Sequence, residues 1–152
     1  MNNTLCLRLI ALCILSVPVI ASAALGGKPA SAQAGLHPLN ATTPNATKTG
    51  QAFTVQQYQD KTGTTIKEFI TPAGIVFAVT WSGPLMPDMQ QLLGQYFTDY
   101  VNAAKQNHGS HTHLDIHQAG LVVQAAGYMR AFSGIAYVPS LMPPGVTVAQ
   151  LK

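Results

Sequence analysis

Cysteine is nearly absent from this chain. Only Cys6 and Cys13 occur among its 152 residues, and both fall in an N-terminal stretch that reads as a leader. A chain without them has no disulfide, no thiolate nucleophile and no thiolate metal site, so packing has to supply its stability. Charge is also scarce, at 9% of residues, with eight basic against five acidic side chains. Beyond Arg8 in that stretch the basic residues are scattered from Lys28 to Lys152 without a cluster, so the linear sequence implies neither nucleic acid nor an anionic membrane as partner. Catalytic signatures are missing as well. Ser82, Ser110, Ser133 and Ser140 lie outside any Gly-x-Ser-x-Gly frame, the five acids fall in separate segments, and no glycine-rich loop is placed to cradle phosphate. A hydrolase is therefore a distant third reading.

No apolar run reaches the roughly 20 residues that a membrane-spanning helix needs. The longest, Leu9 to Ala21, is broken by Pro18. With Arg8 before it and the small-x-small triplet Ala21-Ser22-Ala23 after it, the run reads as a secretory signal over residues 1–23, with the mature chain beginning near Ala24. Loss of the leader removes both cysteines and leaves seven basic residues against five acidic. Residues 24–50, rich in Ala, Thr, Pro, Asn and Gly and without periodic apolar positions, read as a flexible lead-in to a single domain over 51–152.

What the sequence does have is one strongly patterned segment. From Pro87 to about Lys105, Met89, Leu92, Leu93, Tyr96, Phe97, Tyr100, Val101 and Ala104 recur at steps of three and four, one stripe of an amphipathic helix whose other face is polar. Pro87 suits the first helical position, Asp88 the positive helix start, and Gly109 the terminator. Such a helix needs a sheet to cover it. Three strand-like runs precede it: Phe53 to Gln59, Thr64 to Ile70 and Ile75 to Trp81, separated by the turn sequences Asp60-Lys61-Thr62-Gly63 and Thr71-Pro72-Ala73-Gly74. In the third, Ile75, Phe77, Val79 and Trp81 alternate as a large-residue face for the helix. After the helix, Thr112 to His117, Leu121 to Ala125 and Tyr128 to Val138 read as strands, with Gly120 a break and Ala126-Gly127 a turn. The expected class is α+β: an antiparallel sheet of about five strands with one helix on one face, in the order βββ-α-ββ.

Several blocks carry a likeness. Ala24-Leu25-Gly26-Gly27, then Thr71-Pro72-Ala73-Gly74-Ile75-Val76-Phe77-Ala78-Val79-Thr80-Trp81-Ser82-Gly83-Pro84 leading into Pro87-Asp88, then Gly127-Tyr128-Met129-Arg130-Ala131-Phe132-Ser133-Gly134 with Ala136-Tyr137-Val138-Pro139, resemble an exported Gram-negative bacterial family catalogued as domain of unknown function 2844. The resemblance spans most of the mature chain. It implies export and no known activity.

The densest local signal is the run Asn107 to His117, which holds His108, His111, His113 and His117. Read as a strand, it points His111, His113, Asp115 and His117 to one face. Neighbours on that face lie about 6.6 Å apart, so His111 and His113 suit one ion, with His108 folding back through Gly109 to assist; His117, about 13 Å beyond His113, contributes little. The metal would be Zn²⁺, Ni²⁺ or Cu²⁺. The plainer reading is a solvated polar strand face, and a third is a pH-responsive patch, because histidine titrates near pH 6.5. Arg130, in an otherwise apolar strand, is the best candidate for binding a carboxylate or phosphate, unless it pairs internally with Glu68 or Asp115. Together these features describe an exported, periplasmic or extracellular, non-enzymatic binding or envelope-structural domain. Its expected partner is another envelope protein, it inserts in no membrane once its leader is gone, and weak metal binding is the first alternative.

Overall fold

The computed structural model describes residues 25–29, 37–46, 52–106 and 112–151, and of 37–46 and Ala52 the backbone. Its centre is an antiparallel sheet of six strands: β2 (Ala52–Gln59), β3 (Thr65–Ile70), β4 (Val76–Gly83), β5 (His113–His117), β6 (Val122–Tyr128) and β7 (Ala131–Tyr137). A further strand, β1 (His37–Ala46), pairs with β2 at one edge, so the spatial order is β1-β2-β3-β4-β7-β6-β5. The class is α+β, as expected, but the strand order is not the expected one. All three runs read as strands after the helical segment form, so the order closes on three strands where βββ-α-ββ has two, and β1 forms within the stretch read as lead-in.

The turns explain why the strands pair as they do. At the β2–β3 turn the Asp60 carboxylate accepts from Thr62 N at 2.8 Å, Thr62 Oγ1 at 2.6 Å and Thr64 N at 2.9 Å, and Gly63 takes φ +85°. The β3–β4 turn closes through Gly74 N donating to Thr71 O at 2.8 Å, with Gly74 at φ +78°. Both are local chemistry legible in the sequence.

β4 lies at the centre of the sheet and carries a bulge. Register runs Phe69↔Ala78 and then Ile70↔Val76, so Phe77 is an extra residue in a bulge. A bulge breaks the two-residue alternation. Val76, Val79 and Trp81 therefore pack under the helices with Ile66 and Ile70, while Phe77 and Ala78 join Phe53 and Phe69 on the opposite face. The single large-residue face expected from Ile75, Phe77, Val79 and Trp81 is thus split between two cores. On the second face the three Phe rings sit 6.0 to 6.3 Å apart, and Leu151, with Leu141, Met142 and Val146, returns to cover them.

The helical segment is interrupted. Asp88 caps α1 (Met89–Leu93), its Oδ1 accepting from Gln91 N at 3.1 Å, so Met89 rather than Pro87 opens the helix. Gly94, at φ 51° and ψ −119°, ends α1 in a conformation that favours glycine, and a 3₁₀ turn (Gly94–Tyr96) leads into α2 (Phe97–Gln106). Gly109 lies outside the described residues. Met89, Leu92 and Leu93 are buried, whereas Phe97, Tyr100, Ala103 and Ala104 only lean on the core. The segment connects β4 to the far edge strand β5, which lays it across β7 and β6 on the way.

Leu25 is fully buried under this segment. Its N–H donates to Leu92 O at 3.0 Å, while Gly26 N donates to Val76 O at 2.8 Å and Val76 N to Gly27 O at 2.9 Å. Gly26 holds φ +79°, and a Cβ there would stand 2.8 Å from Gln95 Nε2 and 2.9 Å from Tyr96 Cε2. This part of the expected lead-in is built into the core.

Candidate functional site

The helix-free face of the sheet is finished differently at its two sides. Over β2, β3 and β4 the C-terminal segment seals the phenylalanine cluster. Over β5 and the hairpin end of β6 and β7 the same face opens into a concavity of about 330 Å³, while Ile135 and Tyr137 of β7 pack against the sealed cluster. Strand alternation sets its lining. On β5, Leu114 and Ile116 turn toward the helices, which leaves His113, Asp115 and His117 exposed on the other face. Register then places His113 beside Ala126 and Ala126 beside Ser133, and Asp115 beside Gln124 and Gln124 beside Ile135. His113, Asp115, Gln124 and Ser133 line the concavity with Ala126, and Leu114, Ala125 and Gly134 border it from strand positions that turn toward the helices. Gly134 is required on the helix side: Trp81 lies across it from the neighbouring strand, so a Cβ there would overlap the indole ring.

The polar groups are joined by hydrogen bonds. His117 Nε2 stands 2.8 Å from Asp115 Oδ1, and Gln124 Nε2 donates to the same oxygen at 3.4 Å. His113 Nδ1 meets Thr112 Oγ1 at 3.3 Å. The His117 and Asp115 side chains are about 60% exposed, so water screens the pair and it contributes about 0–1 kcal/mol. Asp115 thus orients His117. His113 is the histidine that shares the concavity with Ser133.

The sequence-predicted site residues separate. Among the described residues no three His, Asp or Glu side chains converge as metal ligands. His113 is exposed on β5, while His108 and His111, the other two members of the expected chelate, lie outside the described residues. His117, expected to stand apart, is the histidine that meets a carboxylate. Arg130 is not in a strand. β6 continues through the Ala126-Gly127 pair expected to turn, and the chain reverses at Met129 and Arg130 instead, both at positive φ, 33° and 67°. Two positive φ angles mark the two-residue hairpin loop that usually selects Asn-Gly. Arg130 is accordingly exposed at a turn, away from Glu68 on β3. Glu68 is buried on the helix side, where Tyr58 Oη donates to its Oε1 at 3.1 Å. Burial and the adjacent Glu68 carboxylate push the Tyr58 phenol far above its ordinary range.

Sequence reasoning missed Gln124, which pairs with Asp115 of β5, and Ser133, one strand further on, because only sheet register brings them to the same concavity. It also missed Tyr128 and Met129, which a reading of Met-Arg as a turn would have exposed. Residues 21–151 match the model of a family described as "Protein of unknown function (DUF2844)". No curated protein and no solved structure matches the chain.

Proposed function

The chain belongs to the DUF2844 family, and on that premise we propose that it is an exported, non-enzymatic domain that recognises another envelope component on the open face of β5, β6 and β7. One observation carries this reading. The helix-free face is sealed by the C-terminal segment over β2–β4 and over Ile135 and Tyr137 of β7, but left open over β5 and the hairpin end of β6 and β7, where His113, Asp115, Gln124 and Ser133 present donors and acceptors. A shallow polar surface with exchangeable hydrogen bonds suits recognition. Export rests on the leader pattern through Ala21-Ser22-Ala23, and N-terminal sequencing of protein from the envelope fraction should begin at Ala24 or Leu25. For the face itself, a photo-reactive residue at Gln124 should capture an envelope partner that the same residue at exposed Thr98 on α2 does not. Equal capture at both positions would remove the open face as the site.

Weak divalent-metal binding is the second reading, favoured by the adjacent imidazole and carboxylate of His117 and Asp115, whose 2.8 Å contact would open by about half an ångström for both to hold one tetrahedral ion. Calorimetric titration of Zn²⁺ or Cu²⁺ into the chain separates the cases. Heat lost in a His111→Ala/His113→Ala form assigns the histidine chelate, heat lost in His117→Ala assigns the Asp115 pair, and no heat in the parent leaves a polar face.

A further inference from the structure

The sheet has two edges, and they are built differently. β1, at one edge, has Pro38 and Pro44 in its sequence, and its pairing with β2 shifts register between Pro38 and Asn40 and again between Asn40 and Thr43. Prolines and bulges are what keep an edge from receiving another strand. β5, at the other edge, has neither: it pairs with β6 one to one from His113↔Ala126 to His117↔Val122. The bonds that flank β5 set its hydrogen-bonding parity. Gly127 N donates to Thr112 O at 2.9 Å and Gln118 N to Leu121 O at 2.9 Å, so the even-numbered residues direct their backbone groups to β6. His113, Asp115 and His117 therefore turn their backbone N–H and C=O groups outward. Such a row is a template for one more strand, and among the described residues no strand lies beyond β5.

The side chains on this edge select the strand that fits. His113, Asp115 and His117 are exposed on one face, and Leu114 and Ile116 turn to the helices. The polar alternation His-Asp-His is the same read in either direction, so a second copy of β5 arriving antiparallel presents the complement of what it meets. Register decides how well. Centred on Asp115, the two carboxylates would stand opposite each other and repel. Centred on Ile116, His113 would face Ala119, which lies in the tight turn closed by Gln118 and Leu121. Centred on Leu114, His113 stands opposite Asp115 of the second copy, an imidazole–carboxylate pair that symmetry repeats. His117 keeps its 2.8 Å contact with Asp115 Oδ1 of its own chain in that register. A carboxylate accepts up to about four donors, so Asp115 can take an imidazole on either side.

We propose that β5 is a self-pairing edge, through which two copies of the chain join antiparallel about Leu114 into one continuous sheet. The contact uses the edge and leaves the polar face uncovered, so it stands or falls independently of the reading of that face. The test is sedimentation velocity of the exported chain over a range of about 5 to 500 μM, because a dimer this small in contact area must be concentration-dependent. A monomer–dimer equilibrium with Kd on the order of 100 μM is expected, since so short an edge buries little surface. His113→Pro removes an outward N–H without touching the bonds to β6, and should weaken dimerisation by about tenfold or more. His113→Asp sets carboxylate against carboxylate and should weaken it similarly, whereas His113→Asp/Asp115→His exchanges the two sides of the pair and should bring it back toward wild type. The exchanged form decides the matter even if His113→Pro fails to fold. A wild-type chain that stays monomeric throughout, leaving the edge to a different chain, would overturn the proposal. So would a dimer that survives both single variants, or an exchanged form as weak as His113→Asp.

Discussion

The two sides of the sheet make different uses of the same strand pattern. At β2–β4 both faces are closed: Ile66, Ile70, Val79 and Trp81 lie under the helical segment, and Phe53, Phe69 and Phe77 lie under the C-terminal residues. At β5 and the hairpin end of β6 and β7 one face is closed, and the other presents His113, Asp115, Gln124 and Ser133 to water. Stability is concentrated where both faces are buried. The half buried on one side only is free to carry polar groups whose replacement costs the fold little.

The largest test of this contrast is Phe77→Ala, which should destabilise by about 3–5 kcal/mol in urea unfolding, against less than about 0.5 for Gln124→Ala. Equal small losses would mean that the C-terminal cover is not docked. Next comes Leu25→Ala, expected to cost about 2–5 kcal/mol because its side chain is wholly buried beside Leu92 and Val76. A loss below about 0.5 kcal/mol would return residues 25–27 to a detached lead-in.

A pH experiment probes the buried polar pair on the closed side. The Tyr58 phenol is raised above its ordinary value, first by burial and then by Glu68, and burial raises Tyr100 in the same direction. Above about pH 10 the unfolded chain releases these protons while the folded chain keeps them, so stability is intact below that pH and falls as pH rises beyond it. Thermal midpoints should decline through this range, and less steeply for Tyr58→Phe. That variant should also lose about 1–3 kcal/mol at neutral pH, because Glu68 Oε1 gives up a buried donor. An unchanged alkaline slope would locate the titration elsewhere.

The smallest effects belong to the open side. Arg130→Gly relieves a non-glycine residue at φ 67° and should stabilise by up to about 1 kcal/mol. His117→Ala removes an exposed pair and should change stability by less than about 0.5 kcal/mol. A larger loss in the histidine variant would show that β5 depends on the pair.

Legibility in the sequence followed the range of the interactions. The β2–β3 and β3–β4 turns, the amphipathic helical stripe and the alternation of His113, Asp115 and His117 against Leu114 and Ile116 each depend on residues a few positions apart, and each could be read directly. The bulge at Phe77 could not, because it is a mismatch between two strands. Nor could the break at Gly94, where an uninterrupted apolar stripe conceals a change of backbone conformation. Arg130 was misplaced for a related reason: Ala126-Gly127 is the better turn sequence, yet pairing of β6 with β7 continues to Tyr128↔Ala131 and forces the reversal onto Met-Arg.

By itself, then, the sequence determined the α+β class, the main strands on either side of the helical segment and the polar character of β5, because hydrophobic periodicity and turn chemistry act locally. Tertiary structure alone decided that β7 inserts between β4 and β6, that Leu25 and Leu151 close the two cores, and that β5 is left at one edge of the sheet. Those outcomes depend on which strand edges pair and in what register. That choice is made by burial summed over the whole sheet, so it has no signature within a short window of sequence.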